Sequence, residues 1–185
     1  MTRSDVRVLR FASLPGSRWA NGAGTTVELD RFPRGQSDGF GWRVSIATID
    51  SPGPFSALPG IDRTIVALGP AALELATPRG PVRLEPHSAL SFPGEDAIAV
   101  PHVAAPSRDL NVMTRRGQWR HHAEVRDAGA FDLRSESAVL VVALDGPVGI
   151  GDIELEPLDA LSAPAGEFTV VASQQVAVLR LVPVQ

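Results

Sequence analysis

Apolar and polar residues alternate over short stretches along most of the chain, and a period of two predicts strands. Residues 6–11 alternate first, and Leu14-Pro-Gly16 follows as a turn. Thr25-Thr26-Val27-Glu28-Leu29 sets Thr26 and Glu28 on one face and Val27 and Leu29 on the other. Phe40-Gly-Trp-Arg-Val-Ser-Ile-Ala-Thr-Ile49 is the clearest strand of the first half, with Arg43 and Ser45 opposed to Trp42, Val44 and Ile46. Residues 63–68, 72–76 and 82–85 read as further strands. Leu110-Asn-Val-Met113 carries Asn111 and Met113 on the face of Asp109. Residues 114–127 are charged, contain His121 and His122, and read as a loop or bridging segment. A second series of strands runs from 139 to 184. Apolar positions at helical spacing never extend beyond about two turns; the best candidate lies near 103–108.

Composition supports the strand reading. Seventeen glycines and sixteen prolines punctuate 185 residues, which suits many short strands and turns. Hydrophobic residues at 44% are ordinary for a globular chain. A net charge of -4 argues against a nucleic-acid surface. There is no membrane-length apolar run and no signal-peptide core at the N-terminus. Without cysteine the chain has no disulfide or thiolate chemistry. The expectation is a cytoplasmic protein without membrane contact, though the absence of cysteine also suits the periplasm.

The two strand series share sequence. Ile65-Val-Ala-Leu-Gly-Pro70 matches Val141-Val-Ala-Leu-Asp-Gly-Pro147. Leu84-Glu-Pro-His-Ser-Ala-Leu-Ser-Phe-Pro-Gly-Glu95 matches Leu155-Glu-Pro-Leu-Asp-Ala-Leu-Ser-Ala-Pro-Ala-Gly-Glu167 with one inserted residue. Two matches in the same order predict an internal duplication. The expected fold is all-β, two small antiparallel barrels of jelly-roll type, a bicupin. Residues 1–117 would form the first barrel, 118–136 a bridge, and 137–185 the second half, completed by strands from the N-terminal region. A single sandwich with two similar turns is the competing architecture.

Chemistry is sparse. Cupins often hold a metal with His-x-His, a glutamate and a later histidine, but His87, His102, His121 and His122 make no such pattern. His87 aligns with Leu158 in the repeat, which suits surface variation better than a ligand. No metal and no cofactor are expected, and no phosphate loop or nucleophile elbow is present. What remains is a polar set on the strand faces of the first half: Asn21, Thr26, Glu28, Arg43, Ser45, Arg63, Asp109 and Asn111. Arg43 and Arg63 stand within or at the start of apolar strands, where an unpaired charge is costly. Either Glu28 and Asp109 neutralise them, or an anionic ligand does. Trp19 and Trp42 could wall a pocket for a small planar molecule.

Trp19-x-Asn-Gly-x-Gly-Thr-Thr-x-Glu28, Trp42-Arg-Val-Ser-Ile-Ala47, Gly53-Pro-Phe-Ser56, Pro59-Gly-Ile-Asp-Arg63 and Asp109-Leu-Asn-Val-Met-x-Arg-Arg-Gly117 together resemble the HutD/Ves family. Ala23 departs from the glycine that the family often has there. The resemblance implies a bicupin without the usual metal ligands, linked to histidine utilisation or to environmental stress. It carries over Trp19, Asn21, Thr26, Glu28, Arg43, Ser45, Arg63, Asp109 and Asn111 as pocket residues. The function expected is binding of a small anionic metabolite of the urocanate, formylglutamate or formate class, with a regulatory rather than enzymatic role. The alternatives are a metal-independent isomerase or hydrolase with Glu28 as general base, and a scaffold that forms a homodimer.

Overall fold

Nearly every alternating stretch becomes a strand, and every pairing described is antiparallel. The computed structural model describes residues 6–35 and 39–184. The strands are β1 (Arg7–Leu9), β2 (Gly16–Arg18), β3 (Gly24–Phe32), β4 (Trp42–Ile49), β5 (Gly53–Pro54), β6 (Ile61–Ala67), β7 (Leu73–Thr77), β8 (Gly80–Leu84), β9 (Ala89–Pro93) and β10 (Ala99–Val100). They continue with β11 (Ser107–Arg115), β12 (Trp119–Arg126), β13 (Gly129–Ser135), β14 (Ala138–Ala143), β15 (Val148–Ile150), β16 (Ile153–Leu155), β17 (Ala160–Ala163), β18 (Gly166–Ala172) and β19 (Val176–Pro183). Among the described residues the helical content is one 3-10 turn, Phe11–Ser13.

The chain divides into two compact units. One is Pro15–Trp119, with a six-stranded sheet in the order β2-β3-β4-β11-β6-β9 and a four-stranded sheet β5-β10-β7-β8. Its core joins Ile49, Ile65, Ala67 and Phe92 of the larger sheet to Leu73, Leu75, Leu84 and Val100 of the smaller. The other is built from the described parts of Met1–Leu14 and Arg120–Gln185, with sheets β1-β17-β14-β19-β12 and β13-β18-β15-β16. Its core is a run of aliphatic residues that includes Val139, Val141, Leu161, Val170, Val176 and Val178.

Each unit contains the same turn. Between β8 and β9, Ser88 N donates to Glu85 O at 3.0 Å, His87 N donates to Ala67 O at 2.7 Å, and His87 has φ 64°. Between β16 and β17, Asp159 N donates to Glu156 O at 2.9 Å, Leu158 N donates to Ala143 O at 2.8 Å, and Leu158 has φ 72°. Positive φ strains a side chain such as histidine or leucine. Backbone bonds of the same kind hold both residues there, and the aligned pair His87 and Leu158 shares a backbone role rather than a side-chain chemistry.

Three local readings change. Residues 114–127 are not a loop: most of them form β12, next to β19 at the end of the five-stranded sheet. End strands carry charge because half their backbone faces solvent, and this masks the strand pattern. The stretch near 103–108 is not helical but irregular chain that enters β11 at Ser107; Pro101 and Pro106 explain this. The first strand is only Arg7–Leu9 and gives way to the 3-10 turn.

Candidate functional site

Strand register assembles the polar residues. Thr26 lies beside Ala47, and Ala47 beside Asp109. Glu28 lies beside Ser45, and Ser45 beside Asn111. Arg43 lies beside Met113, and Met113 beside Arg63. Directly opposed residues of an antiparallel pair point to one face. Three rungs therefore stack on the same face of β3, β4, β11 and β6. Val44, Ile46, Val66, Leu110 and Val112 take the opposite face, and all are fully or almost fully buried.

This face bounds a cavity of about 240 Å³. Trp19, Thr26, Arg43, Ser45, Arg63, Asp109 and Asn111 line it, together with Ala20, Ala47, Phe55, Ser56, Leu58 and Met113. Trp19 is placed by the turn that follows β2. Trp19 N donates to Gly24 O and Gly22 N to Trp19 O, both at 2.9 Å. Gly22 has φ +72°, and a Cβ on Gly24 would run into the Thr48 carbonyl. Both glycines are thus required by local geometry. Trp19 Nε1 then donates to Thr26 Oγ1 at 2.7 Å, and its ring meets Phe55 edge-on at 6.4 Å.

A hydrogen-bond relay crosses the floor. Arg63 Nη2 donates to Asn111 Oδ1 at 2.8 Å, and Asn111 Nδ2 donates to Asp109 Oδ1 at 2.6 Å. A guanidinium offers only donors, so it orients the amide, and the amide NH2 must face the carboxylate. Arg63 also sits 5.3 Å from the Phe55 ring centroid and 5.1 Å from that of Phe92. Arg43 Nη2 reaches Met113 Sδ at 3.3 Å, and its guanidinium lies 5.2 Å from the Phe40 ring centroid. Among the described residues neither arginine is closed into an ion pair. Arg43 Nε, Arg63 Nε and Asp109 Oδ2 are buried without a hydrogen-bond partner.

Burial dominates the titration of these groups. It pushes Asp109 up to about 7, against the pull of Arg63, Ala47 and Asn111. It brings Arg63 down to about 10, with Asp109 opposing and Arg43 adding to the fall. Arg43 is also lowered by burial, Glu28 opposing. Both arginines remain cationic at neutral pH, so the cavity floor carries two positive charges against one carboxylate that titrates near neutrality.

Two residues of the expected set stand apart from the lining. Asn21 is exposed, and its Oδ1 accepts from Ala23 N at 3.0 Å, so it builds the turn that carries Trp19. Glu28 is also outside the lining and pairs with Arg31 at 3.7 Å. Glu28 keeps its place opposite Ser45, and a bulge between Glu28 and Asp30 brings Arg31 opposite Arg43, within reach of the Glu28 carboxylate. Trp42 is buried in contact with Phe32 and walls no part of the cavity. Phe55, Ser56 and Leu58 add to the expected set; they lie between β5 and β6, where no alternation marks a face. Among the described residues no three His, Asp or Glu side chains gather as a metal site.

Comparison with known proteins agrees with the sequence motifs. The HutD family profile matches residues 12–179. A 21.2 kDa protein of the hutC 3' region of Pseudomonas putida is 32% identical over 148 residues, 80% of this chain and 78% of that protein. Protein Ves of Citrobacter koseri is 34% identical over 141 residues, 75% of this chain and 73% of the relative. The structure of HutD from Pseudomonas fluorescens SBW25 in a formate condition superposes with a TM-score of 0.88 at 25% identity, covering 97% of this chain and 100% of that one. A cupin 2 conserved barrel domain protein from Leptotrichia buccalis, 11% identical, superposes with a TM-score of 0.59 over 96% of each chain, a likeness of fold alone. The chain belongs to the HutD family, with a cupin-like all-β fold.

Proposed function

We propose that this protein is a cytoplasmic bicupin that binds a small carboxylate or amide metabolite in the cavity of the unit Pro15–Trp119. The observation that carries this is the pair of arginines on the cavity floor, neither closed into an ion pair among the described residues. Buried guanidiniums are costly unless something neutralises them, and a carboxylate fits their forked donors. Asn111, on the strand between the two that bear the arginines, and Ser45, two residues from Arg43 on β4, would orient the ligand. Trp19 and Phe55 would wall it. The volume, about 240 Å³, equals roughly eight water volumes and suits a molecule of that size.

Two further parts belong to the same reading. The matched turns at His87 and Leu158 support descent of both units from one duplicated half. A relative of the hutC 3' region supports a link to histidine utilisation; the regulatory role and the ligand class, urocanate, formylglutamate or formate, belong to the proposal. Among the described residues no helix is long and apolar enough to cross a membrane.

A thermal-shift screen tests the reading. A ligand at about 100 times its Kd adds roughly 2.7 kcal/mol to stability. Urocanate, formylglutamate or formate at millimolar concentration should raise the melting temperature of the wild type, and Arg43→Gln should remove the rise. No shift with any of the three would sink the proposal.

A further inference from the structure

The relay from Arg63 through Asn111 ends on an atom with nothing to do. Asp109 is fully buried, and Asn111 serves only its Oδ1. Oδ2 has no hydrogen-bond partner. A buried acceptor of this kind costs about 1–3 kcal/mol when left alone. The side chains on its rung supply no donor to Oδ2: Ala47 and Ala67 carry only methyl groups, the Ala47 backbone already acts on the carboxyl group, and Thr26 Oγ1 is engaged with Trp19 Nε1. Asp109 nevertheless lines the cavity. A ligand can therefore supply the missing donor.

Charge and spacing say what kind of ligand this is. Arg43 and Arg63 bring two positive charges and ionised Asp109 one negative charge, which leaves one positive charge for a monoanion. Asp109 is two residues along β11 from Asn111, and strand rise makes that step about 7 Å. A carboxylate held by the arginines beside Asn111 would thus lie about one such step from Oδ2.

The geometry points to one ligand class: a small monocarboxylate with an N–H or O–H donor about 7 Å from its carboxylate, Asp109 being the residue that selects for the donor. This rests on the carboxylate binding proposed above and specifies the other end of the ligand. A fatty or purely aliphatic monocarboxylate would satisfy the arginines and leave Oδ2 alone.

The test uses two rigid probes of one shape, 4-hydroxybenzoate and 4-fluorobenzoate, titrated calorimetrically into the full-length protein beside formate. Wild type should prefer the hydroxyl compound by about 10- to 100-fold, as expected when a buried charged acceptor loses its donor. Asp109→Asn should cut that preference below about threefold and bind 4-fluorobenzoate at least as well as wild type, because a negative charge has gone. A purely structural aspartate would weaken both probes equally and leave their ratio unchanged. The wild-type comparison decides by itself where the variant does not fold. Equal affinity for the two probes, or formate binding with neither of them, overturns the inference while carboxylate binding stands. If formate also fails to bind, the carboxylate reading falls and this inference with it.

Discussion

The two units put different chemistry at the same register positions. Counting from the shared turns, Arg63 corresponds to Val139, since each lies four residues before the alanine, Ala67 or Ala143, that accepts the turn's backbone bond. Asp109 is opposite Ala67 as Val176 is opposite Ala143. Asn111 is opposite Ile65 as Val178 is opposite Val141. One unit thus carries an Arg–Asn–Asp relay where the other carries three valines, each fully buried. Shape alone does not need the relay, because the same arrangement of strands closes well over aliphatic side chains. Buried ionic groups are weak evidence of stability, so the contrast separates what holds the fold from what a ligand would use.

Breaking the relay from one side should have the largest effect. Arg63→Ala would leave Asp109 buried with Asn111 alone, and urea unfolding should report a loss of about 3–5 kcal/mol. Next comes pH. Asp109 has its pKa raised to about 7 by burial, against about 3.9 in an unfolded chain. The native state therefore holds the proton more tightly. The stability that this contributes is complete below about pH 4 and is lost as pH rises to about 7. At about 1.4 kcal/mol per pH unit the loss is at most on the order of 4 kcal/mol. Asp109→Asn lacks it, so the variant should gain on the wild type between pH 4 and 7 and run parallel above 8. A constant gap across that range would contradict the assignment.

Giving the first unit the second unit's residues sharpens the comparison. Arg63→Val, Asn111→Val and Asp109→Val together should be neutral or stabilising by about 1–4 kcal/mol, yet bind no carboxylate. The converse change is smaller and opposite in sign. Val178→Asn alone would bury an amide among aliphatic side chains and should cost about 1–3 kcal/mol. If it costs nothing, the apolar core admits water at Val178.

Much of this was legible in the sequence, for a definite reason. Arg43, Ser45, Asp109 and Asn111 fall on one face because a strand's period of two admits no other arrangement without a bulge. The repeat marked the two turns because a shared backbone conformation keeps its prolines and leucines. The approach of Arg31 to Glu28 was not legible, because a single bulge residue after Glu28 is invisible to alternation. Phe55, Ser56 and Leu58 were missed because irregular chain has no face to read. Asn21 showed its chemistry but not its use, since an amide that bonds the backbone two residues on looks the same in sequence as one that faces a ligand. The strand β12 was hidden by the charge that an end strand carries.

The most direct test of the central claim is a crystal structure of the wild type soaked with urocanate. Density is expected in the cavity, with a carboxylate about 3 Å from both the Arg43 and Arg63 guanidiniums and Asn111 beside it. An empty cavity at saturating ligand, or a ligand bound elsewhere with Arg43 and Arg63 untouched, would contradict it.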